Sequence, residues 1–99
     1  MQYATVVYPN QSGSKFDFDY YMKKHIPMVE ALLNTSIAVS KGIATLNGTP
    51  VAFVCIARIR INGLEEFSAA FAKHGAQIME DIPNYTDIQP SVQIDEVLA

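Results

Sequence analysis

The alternation of apolar and polar positions along the chain predicts two helices and four strands. The clearest helical pattern covers residues 17–33, and one face of it carries Phe18, Tyr21, Met22, His25, Val29 and Leu32. Pro27 lies inside this pattern and has no N–H to donate to the carbonyl of Lys23. We therefore expect the first helix to begin after Asp17, an N-capping residue, and to kink or restart near residues 25–27.

Four other stretches have the composition typical of strands. Gly42 predicts a bulge within the second stretch, and Asn47-Gly48 predicts a tight hairpin turn before the third, because both residues tolerate positive φ. Pro90 cannot donate a ladder hydrogen bond, so we expect the fourth strand at an edge of the sheet. The predicted strands cover residues 2–8, 37–46, 51–61 and 86–97.

The second helix is predicted over residues 64–73. Asn62 and Glu65 have the spacing of a capping box at its start, and Gly75 is expected to end it. His74 would then lie beside the last carbonyl groups of the helix, where a cationic side chain is favourable. Residues 76–81 are predicted to form a separate short helical piece.

The order of these elements predicts an α+β fold. A βαββαβ order is the ferredoxin-like arrangement, in which right-handed crossovers place both helices on one face of a four-stranded antiparallel sheet. The length of 99 residues fits one such domain, residues 1–99. Hydrophobic residues make up 49% of the chain and charged residues 17%, so the helix-free face of the sheet should also be apolar. We expect a second copy to cover it, in a face-to-face homodimer that forms a dimeric α/β barrel.

Composition and charge argue against several classes of function. The net charge is −3 and the basic residues are not clustered, so neither nucleic acid nor a membrane surface is an expected partner. Cys55 is the only cysteine, which excludes an internal disulfide and a cysteine-built zinc site. The two histidines lack metal-ligand spacing and there is no glycine-rich phosphate loop, so we expect neither a metal nor a cofactor. The sequence has no leader pattern and no membrane-spanning run, and the cytoplasm is the expected location.

His25 and Tyr21 are the candidate catalytic residues. They are four positions apart on the predicted apolar face, close enough to act on one ligand. An imidazole with a pKa near neutrality can move a proton, while a phenol can orient or polarise an oxygen atom. The structural alternative at this point is a core histidine that is hydrogen-bonded to the backbone at the kink.

Three further residues are expected near this pair. Met22 and Pro27 are candidates for the lining of a ligand pocket. Asp81 could serve as an acid or as the partner of a histidine. An aspartate in this position, directly before Ile82-Pro83, also commonly caps a turn through its own backbone.

A set of short segments occurs in a characteristic order along the chain: Tyr8-Pro9, Phe16-Asp17, Tyr20-Tyr21, His25-Ile26-Pro27-Met28-Val29, Phe67, His74-Gly75, Asp81-Ile82-Pro83-Asn84-Tyr85-Thr86, Gln89-Pro90 and Gln93-Ile94. In this order the chain resembles the EthD-like family of the dimeric α/β-barrel superfamily over nearly all of its length. The resemblance implies a small homodimer with a cavity in each subunit between sheet and helices. Relatives in the superfamily include cofactor-free monooxygenases, lactone isomerases, polyketide-type cyclases and dehydratases, and haem-degrading enzymes, so the resemblance predicts the fold more closely than the reaction.

Together these observations predict a small-molecule-binding protein that acts as a cofactor-independent enzyme: an oxidoreductase of the monooxygenase type, a lyase or an isomerase. The expected substrate is a small, apolar, oxygenated metabolite, with His25 as the proton-transfer residue. The alternative is a non-catalytic accessory dimer that binds a hydrophobic metabolite in a catabolic or biosynthetic pathway. Haem ligation by His25 is a lesser alternative, because the chain contains no tryptophan, a residue found in some haem-degrading relatives.

Overall fold

Four antiparallel strands form a single sheet in the computed structural model, which describes residues 1–99. In chain order the strands are β1 (Gln2–Pro9), β2 (Ile37–Lys41), β3 (Phe53–Ile61) and β4 (Ser91–Glu96), and they lie side by side in the order β2-β3-β1-β4. Helix α1 covers residues 18–33 and helix α2 covers Leu64–Asp81. The predicted ferredoxin-like βαββαβ fold is confirmed, with α1 following β1 and α2 following β3.

Helix α1 changes its winding in the middle, at the predicted position. It consists of an α-helical turn, a π-helical turn and a second α-helical segment: Phe18–Tyr20, Tyr21–His25 and Ile26–Leu33. The N–H of Ile26 donates to the carbonyl of Tyr21, five residues back, which defines the wider π turn. Pro27 follows directly and has no N–H to donate, so an unbroken α-helical ladder is impossible here. Asp17 caps the helix by accepting from the N–H of Tyr20, as predicted.

Helix α2 differs from its prediction at both ends. It continues without a break through Gly75 to Asp81, so that glycine does not end it and His74 is not beside its terminal carbonyl groups. Gly75 is buried, and a Cβ there would lie 2.9 Å from the ring of Phe71, so its role is close packing within the helix. The predicted capping box is also wrong, because the helix begins after Gly63 without a side-chain cap.

The connection between β2 and β3 is longer than the predicted two-residue turn. The strands end at Lys41 and begin again at Phe53, and residues 42–52 join them. In the Asn47-Gly48 pair only the glycine has a positive φ, of 80°. Gly42 is not a bulge within a strand. It lies just past β2, where a Cβ would clash with the carbonyl oxygen of Phe53.

Strand β4 is shorter than predicted but has the predicted place in the sheet. It starts at Ser91, directly after Pro90, and pairs only with β1, so it is an edge strand. Residues 86–90 approach it as irregular chain, with one isolated bridge between Phe16 and Thr86.

The two faces of the sheet differ in what covers them. On the helix side, Tyr8 of β1 and Ala57 of β3 are buried, together with Tyr21 of α1. By strand alternation the opposite face carries the pair Val7 and Ile56 near one end and the pair Thr5 and Arg58 farther along. That face carries no helix. Its residues are apolar at one end and polar at the other, so the expectation of an apolar face is met only in part. Neither helix of the chain combines the length and the apolar character needed to cross a bilayer.

Candidate functional site

A cavity of about 220 Å³ lies between the sheet and the two helices. Sixteen of its eighteen lining residues are hydrophobic, and they come from all four strands and both helices. The polar groups in the lining belong to four aromatic side chains: Tyr8, Tyr21, His25 and Tyr85. The cavity is smaller than the roughly 300–1,000 Å³ of sites for drug-sized ligands, so it suits a small molecule.

The π turn of α1 presents His25 to this cavity. An α-helix rotates about 100° per residue, which leaves side chains four positions apart offset by about 40°. Here the two residues are the first and last of the π turn, and their rings are stacked, with centroids 5.4 Å apart and planes 17° apart. His25 is only 4% exposed. The winding of the helix therefore fixes the imidazole between the aromatic core and the cavity.

Asp81, at the end of α2, holds the other side of the imidazole. Its Oδ2 lies 2.9 Å from His25 Nδ1, while its Oδ1 accepts from the hydroxyl of Tyr20 at 2.6 Å and from the amide of Asn84 at 2.9 Å. Burial by itself would raise the pKa of Asp81. The hydrogen bonds from Tyr20, Asn84 and His25 outweigh burial and hold that pKa below its ordinary value, so the carboxyl group is ionised.

The state of His25 follows from these surroundings. Burial lowers its pKa below the ordinary value, and Asp81, which favours the charged form, offsets this only in part. The imidazole is therefore neutral at pH 7. An ionised carboxylate can only accept hydrogen bonds, so Nδ1 carries the proton and donates it to Asp81. Nε2 carries no proton and keeps a basic lone pair, which is the form that a general base requires.

Two tyrosines continue the polar chain beyond Nε2. The hydroxyl of Tyr85 is 3.3 Å from His25 Nε2, and it is 2.8 Å from the hydroxyl of Tyr8. Burial raises the pKa of both phenols above the ordinary value, so both are neutral. Burial also raises the pKa of the nearby Cys55 thiol to about 11, which removes it as a nucleophile near neutral pH.

The structure places only some of the sequence-predicted residues at the cavity. His25 and Tyr21 line it, and Asp81 contacts Nδ1 of His25 without lining the cavity itself. Met22 and Pro27 are exposed and do not line the cavity, because they lie on the side of α1 that faces solvent.

Sequence reasoning did not name Tyr8 and Tyr85 as site residues. Tyr85 follows Asp81 by four positions in a segment that includes the 3₁₀ turn Ile82–Asn84, and the turn brings both residues to the same imidazole. The four-residue spacing between Asp81 and Tyr85 was the one feature of the sequence that could have indicated a shared site.

The structure shows no cluster of three or more His, Cys, Asp or Glu side chains that could hold a metal ion. His25 is the one imidazole in the cavity lining, and both of its ring nitrogens already have protein partners. An additional ligand on either nitrogen would therefore have to displace Asp81 or Tyr85.

The fold and the site belong to a class of small α+β proteins in which a ligand-sized cavity lies between a four-stranded sheet and its helices. The EthD domain family matches residues 10–89 of the sequence, and the chain belongs to this family. No functionally curated protein matches it.

Two solved structures resemble the chain over almost its whole length. An EthD-like protein from Ralstonia eutropha JMP134 is 42% identical, with a TM-score of 0.92, over 99% of this chain and 92% of that one. An ethyl tert-butyl ether D (EthD) family protein from Bacillus halodurans C-125 is 16% identical, with a TM-score of 0.70, over 99% of both chains. The first supports the family and the fold, and the second supports the fold alone.

Proposed function

We propose that this EthD-family protein is a cofactor-independent enzyme that removes or delivers a proton on a small, uncharged, oxygenated molecule bound in the cavity. The observation that carries the proposal is the orientation of His25. Its Nδ1–H is held by the ionised Asp81, and its unprotonated Nε2 faces the hydroxyl of Tyr85, which lines the cavity together with His25. An acid–histidine pair of this kind fixes the tautomer and stabilises the imidazolium that forms when the base takes up a proton.

The lining of the cavity supports an uncharged ligand. No lysine, arginine or carboxylate lines it, and the three phenols and the imidazole are neutral near pH 7. A carboxylate or phosphate would lose its hydration there without gaining a partner of opposite charge. An apolar molecule with one carbonyl or hydroxyl group would place its oxygen at the aromatic polar end and bury the rest.

The reaction class that this geometry supports is abstraction of a proton from the carbon next to a carbonyl group or from the hydroxyl of a phenol. Isomerisation, elimination and cofactor-free oxygenation of an activated carbon all begin with that step. The proposal therefore covers the lyase, isomerase and monooxygenase alternatives through their common first step.

A second candidate function is a non-catalytic dimer that binds a hydrophobic metabolite. The hydrophobic character of sixteen of the eighteen lining residues favours it. The two candidates differ in one respect: the binding protein needs the volume of the cavity, while the enzyme also needs Nε2 of His25.

Deuterium exchange tests the proposal without knowledge of the final product. Small neutral ketones and phenols are incubated with the protein in D₂O, and the loss of C–H signals next to the oxygen function is followed by ¹H NMR. We expect the wild-type protein to accelerate exchange in at least one compound. His25→Gln should slow it by roughly 10²–10⁴-fold, the usual size of a general acid–base contribution.

His74→Gln is the matched control, because it replaces a histidine by glutamine at a partly exposed position outside the cavity. It should leave the exchange rate unchanged. Ligand binding by His25→Gln is measured in parallel by the perturbation of amide resonances. Binding without exchange in the wild-type protein would favour the second candidate, and equal exchange in wild type and His25→Gln would contradict the role of His25.

A further inference from the structure

The lone pair of His25 Nε2 does not face empty space. The hydroxyl of Tyr85 is its one hydrogen-bonding partner, at 3.3 Å, and the same hydroxyl is 2.8 Å from the hydroxyl of Tyr8. Tyr85 is 2% exposed and lines the cavity. Its oxygen therefore stands beside the position from which a ligand would meet the base.

The direction of these hydrogen bonds follows from Asp81. Because its carboxylate can only accept, the proton of His25 is on Nδ1, and Nε2 can only accept. Every buried polar side-chain atom in the structure has a partner, and Tyr85 is the partner of Nε2. Tyr85 therefore donates to His25, and the hydroxyl of Tyr8 donates to Tyr85.

The geometry points to Tyr85 as a further catalytic residue, which passes the proton between the ligand and Nε2 of His25. This inference rests on the proposed function and adds the group that touches the ligand. It also explains how His25, whose Nε2 lone pair already accepts a hydrogen bond from Tyr85, can still take a proton from a ligand in the cavity.

The step balances as two linked proton transfers. A C–H bond of the ligand, next to its carbonyl group, breaks and its proton forms a bond to the oxygen of Tyr85. At the same time the O–H bond of Tyr85 breaks and that proton forms a bond to His25 Nε2. The electron pair stays on the ligand as an enolate, and the new imidazolium is paired with the carboxylate of Asp81.

The surroundings of Tyr85 favour a linked transfer over a free phenolate. Burial and the neighbouring Tyr8 and Asp81 raise the pKa of Tyr85 above its ordinary value, so a separate phenolate would be costly. The hydroxyl of Tyr8, 2.8 Å away, can support the oxygen while the proton moves.

The first measurement concerns the ligand-free protein and does not depend on activity. The ¹⁵N resonance of His25 Nε2 is recorded for the wild type, Tyr85→Phe and Tyr8→Phe. We expect Tyr85→Phe to move it to higher frequency, as for a nitrogen that loses a hydrogen-bond donor, with Nδ1 still protonated. Tyr8→Phe should leave the resonance near its wild-type position. An unchanged resonance in Tyr85→Phe would overturn the inference.

The second measurement is the exchange assay. Tyr85→Phe should lower the rate by about 10²-fold or more, because the relay oxygen is gone. Both variants lose the hydrogen bond between Tyr8 and Tyr85, but Tyr8→Phe keeps the hydroxyl of Tyr85. The exchange rate of Tyr8→Phe should therefore fall by less than about tenfold. A rate in Tyr85→Phe equal to that of the wild type would overturn the relay while leaving the role of His25 intact. An inactive wild type with the expected ¹⁵N shift would contradict the proposed function, and with it the catalytic role of Tyr85, while the hydrogen bond from Tyr85 to Nε2 would stand.

Discussion

At the scale of single residues, the chemistry of the site depends on the unequal environments of His25 and Asp81. Burial lowers the pKa of the imidazole, while hydrogen bonds from Tyr20, Asn84 and His25 lower the pKa of the carboxyl group despite its partial burial. The result is a neutral base held by an ionised acid. Histidine with an unperturbed pKa would be partly protonated at pH 6.5, and Nε2 would then be blocked.

These shifts predict how stability depends on pH. The pKa of His25 is below 6.5 in the folded protein and close to 6.5 in the unfolded chain. Between those values the unfolded chain binds a proton that the folded protein does not, so the free energy of unfolding falls as the pH drops below about 6.5. Asp81, whose folded pKa is below 3.8, adds a second loss in stronger acid.

Urea denaturation from pH 7.5 to pH 5 measures the first of these effects. The wild type should lose stability over this range, and His25→Gln should show a flatter dependence because its side chain does not titrate. A wild-type stability that rises as the pH falls from 6.5 would contradict the lowered pKa of His25.

Part of the site was accessible from the sequence at this scale. His25 and Tyr21 share one helical face, and their four-residue spacing predicts that the two side chains are neighbours. Asp81 was open to two interpretations, and the structure shows it bound to the imidazole. Tyr85 is 60 positions from His25 in the chain, and a contact of that kind depends on how the turn after α2 packs against α1.

At the scale of elements, the π turn in α1 connects the sequence to the site. The sequence predicts a kink or restart near residues 25–27, and a new α-helical segment does begin at Ile26. The π turn that precedes it, with the Ile26–Tyr21 hydrogen bond, was not predicted. The glycines were the least reliable guide to secondary structure. Backbone freedom predicts a helix end at Gly75 and a bulge at Gly42, and neither is present. Close contacts explain both residues instead: Gly75 packs against Phe71, and Gly42 packs against the carbonyl of Phe53.

Pro27→Ala tests the link between the π turn and the site. Alanine restores an N–H that can donate to Lys23, which permits a regular α-helix and rotates His25 away from Asp81. Exchange should fall by up to about 10²-fold, the cost of misplacing a catalytic group by about 1 Å. The helix itself should persist, as measured by circular dichroism, and Pro50→Ala, at an exposed position in the loop between β2 and β3, serves as the control. Full activity in Pro27→Ala would show that the π turn is not needed.

At the scale of the whole molecule, the single chain leaves much apolar surface uncovered. Only 15 of its 99 residues are buried, and Ile43, Leu46 and Leu98 are among the large apolar side chains that are exposed. The helix-free face of the sheet adds Val7 and Ile56 at one end. Monomeric proteins seldom expose large contiguous apolar patches, so the expected face-to-face homodimer stays our prediction for this surface.

Sedimentation tests that prediction. At micromolar concentration the protein should sediment at twice the 10.9 kDa mass of the chain, because obligate interfaces of this kind bury about 2,000 Å² or more. Val7→Glu, which puts a charge on the helix-free face, should give monomer or insoluble protein, whereas Lys24→Glu on an exposed position of α1 should not. A stable wild-type monomer would rule out an obligate dimer.

The central claim is that the cavity contains a neutral histidine with its proton on the Asp81 side. Neutron diffraction from a deuterated crystal at pH 7 tests it most directly, because it locates each hydrogen of the site. We predict deuterium on His25 Nδ1, none on Nε2, and the hydroxyl deuterium of Tyr85 directed at Nε2. Deuterium on Nε2, alone or together with Nδ1, would contradict the account.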